Sequence, residues 1–320
     1  ITGAMRTCPT AGMEALLGLA PLHRVVCQRA TESKLRIHVQ RHATQTRLTW
    51  ADQAAITKSN GLTDMPSDNM LRKWSTKKNF KIHSSNKASF TSEADYNIKT
   101  RAVKWYTDGS RTSDGTGAGL TGPQQSISIS MGHYPGIFQA ELLAIDKCAQ
   151  INLDRGYENV DIAIMSDSQA ALKALEGTQI RSKLVWECLT KLNDLGSKNR
   201  VDLYWIPGHT GIIGNEKADE LAKQGATTPL TGPEPFCGIS LNDLKQESRR
   251  RDRISMCREW AKLPGLKHSK ITMGGYNPKR TTELMLLNRD KVRVVTGFLT
   301  GHCRLGKHLR QLGITDRKSV

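Results

Sequence analysis

Residues 103–110 read V-K-W-Y-T-D-G-S, and residues 162–169 read I-A-I-M-S-D-S-Q. Each is a β-type run that stops on an aspartate, Asp108 or Asp167, followed by small turn residues. Alternation puts Asp108 on the side of Lys104 and Tyr106, and Asp167 on the side of Ala163 and Met165. The carboxyl ends of strands are where open α/β sheets build their sites. Taken alone, D-G-S reads as a turn and S-D-S-Q as a helix N-cap. The reading turns on what surrounds them.

Outward from these two strands the pattern is a compact alternation. A strand at 103–108 is followed by G-T-G-A-G-L-T-G and Q-S-I-S-I-S-M-G, two further strands joined by Gly-Pro. In the latter, Ile127 and Ile129 alternate with Ser126, Ser128 and Ser130, leaving one apolar face. Next come a helix over about 137–154, a strand at 160–166, helices over about 168–176 and 182–195, a strand at 201–206 and a helix at 214–226. Three hairpin-type strands followed by strand–helix alternation predict a mixed five-stranded α/β sheet flanked by helices.

Two more blocks supply acids. The helix I-F-Q-A-E-L-L-A-I-D-K-C-A presents Phe138, Leu142, Ile145 and Ala149 on one face, with Glu141 beside that face. An ionised Glu there is costly unless it is paired or bound to a metal. In W-I-P-G-H-T-G-I-I-G-N-E-K-A-D-E-L-A a strand ends at Pro207, a glycine-flanked loop displays His209, and the next helix carries Asp219. Were Asp108, Glu141, Asp167 and Asp219 to converge, each close pair would repel by about 4 kcal/mol at about 4 Å and an effective dielectric near 20. Protonation or hard divalent cations would relieve this. Two such cations about 3.5–4 Å apart are a standard device for in-line displacement at phosphorus.

The blocks Y-T-D-G-S, F-Q-A-E-L-L-A-I, M-S-D-S-Q-A-A-L and P-G-H-T-G-I-I-G-N-E-K-A-D-E-L-A resemble, in order and spacing, the four-carboxylate signature of type I ribonuclease H. The resemblance covers residues 101–226. It implies endonucleolytic hydrolysis of the RNA strand of RNA–DNA hybrids, with Asp108, Glu141, Asp167 and Asp219 holding two Mg²⁺ ions (Mn²⁺ as the alternative). It implies proton transfer or product release at His209, and substrate contacts from Gly109, Ser110, Ser168 and Gln169. Glu141 is also the family's usual candidate for a 2′-hydroxyl contact. No basic insertion like the hybrid-gripping protrusion of some cellular relatives lies between Glu176 and Val201.

The flanks differ from this centre. Lys and Arg outnumber Asp and Glu by 15 to 7 in residues 1–100 and by 19 to 8 in 229–320, against 13 to 15 in 101–228. Basic flanks suit a polyanion. Residues 1–74 read as a helical region, 75–100 as a polar Ser/Lys/Asn-rich linker, 101–228 as the ribonuclease H-like domain, and 229–320 as a basic helical region. In the last, Ser240 and Asp243 form a capping box ahead of the apolar positions Leu241, Leu244, Ile254, Cys257 and Ala261. The opening I-T-G-A-M-R-T-C-P-T-A-G-M-E-A-L-L-G-L-A-P-L resembles the segment after the reverse transcriptase in jockey-like non-LTR retrotransposon polyproteins. The stretch V-V-T-G-F-L-T-G-H-C-R-L-G-K-H-L-R-Q-L-G-I is similar to the one before their C-terminal Cys/His knuckle. The chain thus reads as a piece of such a polyprotein, with the remainder as partner.

His302, Cys303 and His308 make no complete zinc site, and no polymerase aspartate pair is present. Seven cysteines without a C-x-x-C pair point to reduced thiols and an intracellular setting, in the nucleus or a cytoplasmic ribonucleoprotein. No stretch has the roughly 20 apolar residues of a membrane span. Two rival readings stand beside this one. A catalytically inactive retroelement remnant could bind nucleic acid without cleaving it, and a DNA nuclease or integrase could share the fold.

Overall fold

The computed structural model describes residues 4, 6–44, 61–84, 96, 98–303 and 313. The chain divides into two compact units, one of residues 33–247 and one of residues 1–32 with 248–320. In chain order the elements are α1 (Thr10–Leu17), α2 (Leu22–Thr44), β1 (Asn69–Trp74), β2 (Phe80–His83), β3 (Val103–Arg111), β4 (Thr116–Gly122) and β5 (Gln125–Gly132). After them come α3 (Ile137–Asp154), β6 (Asp161–Ser166), α4 (Gln169–Glu176), β7 (Gln179–Ser182), α5 (Lys183–Lys198), β8 (Arg200–Trp205) and α6 (Ile213–Thr227). The last are α7 (Leu241–Lys262), α8 (Lys267–Met273), α9 (Pro278–Met285) and α10 (Arg289–Thr300). Among the described residues, no helix is long and apolar enough to cross a membrane.

The larger unit is built on a mixed sheet of order β2-β8-β6-β3-β4-β5. Strands β3, β4 and β5 run antiparallel, while β6, β8 and β2 extend the sheet in parallel from β3. Helix α3 packs Leu142, Ile145 and Ala149, all fully buried, with Leu189 and Leu192 of α5 in the main core. Each such Leu or Ile contributes about 1.5–3 kcal/mol by leaving water. Trp105 of β3 is fully buried in that core and donates its indole N–H to Asn152 Oδ1 at 3.1 Å. The opposite face carries α6, and the serines of β5 meet it or its end: Ser128 Oγ donates to Leu221 O at 2.8 Å, and Ser130 Oγ to Thr228 O at 2.6 Å. Both alternating sets of β5 are therefore used, Ile127 and Ile129 on the core side and the serines on the other.

Four local expectations change. The sheet has six strands, not five, because β2 falls inside the stretch read as a linker. Only Phe80 and Ile82 of F-K-I-H face the core, an alternation too short to rise above its polar surroundings. Strand β3 does not stop at Asp108 but runs to Arg111, paired with β4 through Arg111↔Thr116. A short strand, β7, precedes α5 and pairs with β1, so residues read as part of the N-terminal helical region belong to the larger unit.

The fourth concerns α7. Its cap is as expected, Asp243 N–H donating to Ser240 Oγ at 3.1 Å. The predicted stripe holds only at its start: Leu244 is buried, Ile254 and Cys257 are exposed, and Trp260 is the buried residue further on.

The smaller unit has its own core of Ala15, Leu16, Trp260, Met273, Leu284 and Val292. His302 and Cys303 lie beyond α10, whereas His308 is outside the described residues.

Candidate active site

The parallel ladder of β3 and β6 runs from Val103↔Ile162 to Thr107↔Ser166. Asp108 within β3 and Asp167 just past β6 are the next residues after that ladder's last pair, so both carboxylates stand where it ends. Trp205 fixes the backbone here by donating its indole N–H to Asp167 O at 3.0 Å. Ser168 then caps α4, its Oγ accepting from Ala171 N–H at 3.3 Å, and Gln169 is exposed on the first turn.

Glu141 reaches the same place because α3 lies unusually close to β3. A Cβ added at Gly109 would fall 2.6 Å from the Glu141 backbone nitrogen and 3.0 Å from its Cγ, so only glycine permits this approach. Gly109 is buried, and the demand the fold makes of it is helix packing; Ser110 beside it is half-buried. On the other face, a Cβ at Gly119 of β4 would lie 2.2 Å from Ala218 O and 2.4 Å from Ala222 N. That close approach seats the A-x-x-x-A-x-x-x-A face of α6 (Ala218, Ala222, Ala226) on the sheet and sets Asp219 at the site's edge.

Carboxylate oxygens of Asp108, Glu141 and Asp167 all lie within 4.8 Å of one another. Asp108 and Glu141 are buried, and Glu141 Oε2 is buried with no hydrogen-bond partner. Burial, then the charges of Asp167 and Asp219, push the Asp108 carboxyl up to about 7. Burial, then Asp108 and Asp167, hold Glu141 well above the usual carboxylate range. Asp167 is also raised by burial, and a hydrogen bond from Asn215 and the nearby His209 pull it back down. Three crowded oxygen donors with an unmet buried acceptor fit a hard divalent cation.

Asp219 falls in a second group, with ligand atoms of His209, Glu216 and Asp219 within 4.8 Å of one another. Lys223, one turn along α6, pairs with Asp219 Oδ2 at 2.5 Å. His209 is exposed, with φ of 56°, on the loop before α6. Glu216 accepts from Gly211 N–H at 3.3 Å and so ties that loop to the helix.

The fold thus brings Asp108, Glu141 and Asp167 into one cluster and places Asp219 and His209 together beside it. Two neighbours were missed from sequence. Glu216 is three residues before Asp219, hence on the same helix face, a spacing that could have revealed it. Asn215 is buried, hydrogen-bonded to Asp167 through its side chain, and has an unpartnered Oδ1. Nothing in the sequence marks it apart from the helix start.

The RNase H family model matches residues 100–227. Ribonuclease H from Mannheimia succiniciproducens is 27% identical over 150 residues, covering 42% of this chain and 93% of that protein. Ribonuclease H from Nitrosomonas eutropha is 27% identical over 93 residues, covering 24% of this chain and 56% of that protein. Ribonuclease H from Francisella philomiragia is 43% identical over 54 residues, covering 17% of this chain and 33% of that protein. The chain therefore spans nearly all of one of these relatives and about half or a third of the other two. Over residues 100–227 this chain is thus similar to ribonuclease H, and its mixed six-stranded sheet flanked by helices is consistent with that fold.

Proposed function

We propose that this domain hydrolyses the RNA strand of RNA–DNA hybrids at the Asp108, Glu141 and Asp167 cluster, leaving a 5′ phosphate. The observation that carries the reading is the convergence of three carboxylates within 4.8 Å at the end of the β3–β6 ladder, one with an orphaned buried oxygen. Asp108, Glu141 and Asp167, with Asp219 at the edge, would hold two Mg²⁺ ions, Mn²⁺ being the alternative. Bound there, the ions would supply Lewis-acid charge at the phosphate and acidify a water.

The chain's own groups do the rest. Asn215 orients Asp167 through its hydrogen bond. His209, exposed on its loop beside Asp219, takes up or releases a proton at a ring nitrogen as product departs. Ser168 and Gln169, at the start of α4, would hydrogen-bond in the minor groove. Discrimination for RNA comes from 2′-hydroxyl contacts, Glu141 among them.

The flanking resemblances support a place in a jockey-like retrotransposon polyprotein, working inside cells in a nuclear or cytoplasmic ribonucleoprotein. The test is cleavage of an end-labelled hybrid with Mg²⁺, beside duplex DNA and duplex RNA of the same sequence. Cleavage of the hybrid's RNA strand alone is expected, and His209→Ala should lower turnover by about 100-fold, the lower end of what general acid–base groups supply. Equal cleavage of duplex DNA would assign the domain to DNA chemistry instead.

A further inference from the structure

The ribbon formed by β1 and β7 carries an arrangement that the active site does not use. Lys73 pairs directly with the buried Ile180, so the two share the face turned to α5, where the exposed Lys73 reaches over Trp186 with its Nζ 4.4 Å from the ring centroid. Alternation turns Arg72 and Trp74 to the outer face, where Trp74 pairs with Gln179, and Arg181 is two residues further along β7. All four outer residues are exposed, Trp74 at 61%. The Arg72 guanidinium lies 5.9 Å from the centroid of the Trp74 ring, within cation–π range. Neither Arg72 nor Arg181 forms an ion pair with a described residue. A guanidinium over an exposed indole, with a second Arg on the same face and neither paired to an acid among the described residues, offers a phosphate-binding surface on paired backbone.

The ribbon is firmly tied to the catalytic domain. Ser75 N–H donates to Thr178 O at 2.9 Å, and Lys183 N–H to Asp68 O at 2.7 Å. Lys78 Nζ donates to Leu175 O at 2.5 Å and Gly177 O at 3.1 Å, the carbonyl end of α4. That helix starts two residues after Asp167 and exposes Gln169, Ala170, Lys173 and Glu176 along one side. Its eight residues at 1.5 Å each make this helix about 12 Å long.

We propose that the outer face of the β1–β7 ribbon grips the nucleic-acid substrate beyond the end of α4, away from the cleaved bond. Arg72 and Arg181 bind backbone phosphates, and Trp74 lies against the sugar edge and holds Arg72 in place. Residues 69–74 stand outside the matched span 100–227 and Arg181 inside it, so the grip joins upstream sequence to the matched domain. Arg72 and Arg181 carry the positive charge of that face. The inference rests on the hybrid as substrate.

The experiment uses the full chain and a fluorescent RNA–DNA hybrid, titrated at several salt concentrations in Ca²⁺ to suppress turnover. Replacing both Arg72 and Arg181 by Ala should flatten the slope of log K against log salt by roughly 1.5–2, because two phosphate contacts are lost. It should raise KM in Mg²⁺ by tenfold or more with kcat unchanged, and Trp74→Ala should raise KM less. Lys at both positions should restore most of the slope, which a merely structural role would not do. All the replaced groups are exposed, and an unchanged thermal midpoint checks that the variants fold. Wild-type affinity and slope in the double Ala variant would overturn the proposal. Should the wild-type chain bind hybrid yet cleave none, the catalytic reading fails, while the grip is still judged by the slopes.

Discussion

The acid cluster and the helical unit of residues 1–32 and 248–320 treat charge in opposite ways. In the helical unit, Arg24 is met by Asp252 at 2.8 Å and by Glu259, and Arg249 is met by Glu32 at 2.7 Å. In the cluster, three acids crowd together, two of them buried, and Glu141 keeps an orphaned oxygen. One arrangement stabilises the fold modestly, and the other destabilises it until something cationic arrives. Local rules are broken where chemistry is done, and the surrounding structure must hold the broken arrangement in place.

That contrast predicts how stability responds to pH and metal. The Asp108 carboxyl is raised from its ordinary 3.8 to about 7. Its folded value exceeds its unfolded one, so the contribution is fully present below about pH 4 and is lost as pH rises through about 7. The metal-free chain should therefore lose up to about 4 kcal/mol from this group between pH 4 and 8. Mg²⁺ should restore stability chiefly at the upper end, as read by thermal unfolding with and without EDTA. A metal-free midpoint that climbs between pH 5 and 8 would mean the acids are not crowded as described.

A smaller effect probes the packing that holds the cluster. Gly109→Ala puts a methyl 2.6 Å from the Glu141 backbone nitrogen, and forcing α3 away should cost about 1–3 kcal/mol. Cleavage should fall further than stability alone explains, because Glu141 moves with the helix. Full activity with unchanged melting would show that the helix can yield without disturbing the carboxylates.

The smallest effect belongs to the satisfied side of the comparison. Arg24→Ala should cost about 1 kcal/mol, since its partner Glu259 is 58% exposed and water screens the pair. It should leave kcat for hybrid cleavage untouched. Loss of turnover in this variant would tie the helical unit to catalysis.

Much of this site was legible in the sequence because strand endings and helix periods are local signals. Asp108 and Asp167 each follow a run of alternating residues, and Glu141 and Asp219 sit on helices with clear apolar faces. What stayed hidden depends on tertiary contact. Strands β2 and β7 have four residues each, too few to show a period, and exist because β8 and β1 offer edges to pair with. The D-G-S turn chemistry is overridden because β4 pairs with β3 past Asp108. The packing role of Gly109 appears only once α3 is laid against the sheet. Gln139, buried and donating to Gly238 O at 2.7 Å, shows likewise that the larger unit reaches past the expected boundary at residue 228.

The central claim is that the carboxylates at the end of the β3–β6 ladder are a cation centre for hybrid hydrolysis. Its most direct test is the Mg²⁺ dependence of RNA-strand cleavage in a labelled hybrid, measured side by side for the wild-type chain and Asp108→Asn. Removing one charge from the cluster without changing its shape should abolish turnover at every Mg²⁺ concentration, while the metal-free variant melts higher than wild type at pH 8. Mg²⁺-dependent cleavage by Asp108→Asn at a rate near that of the wild type would contradict the assignment.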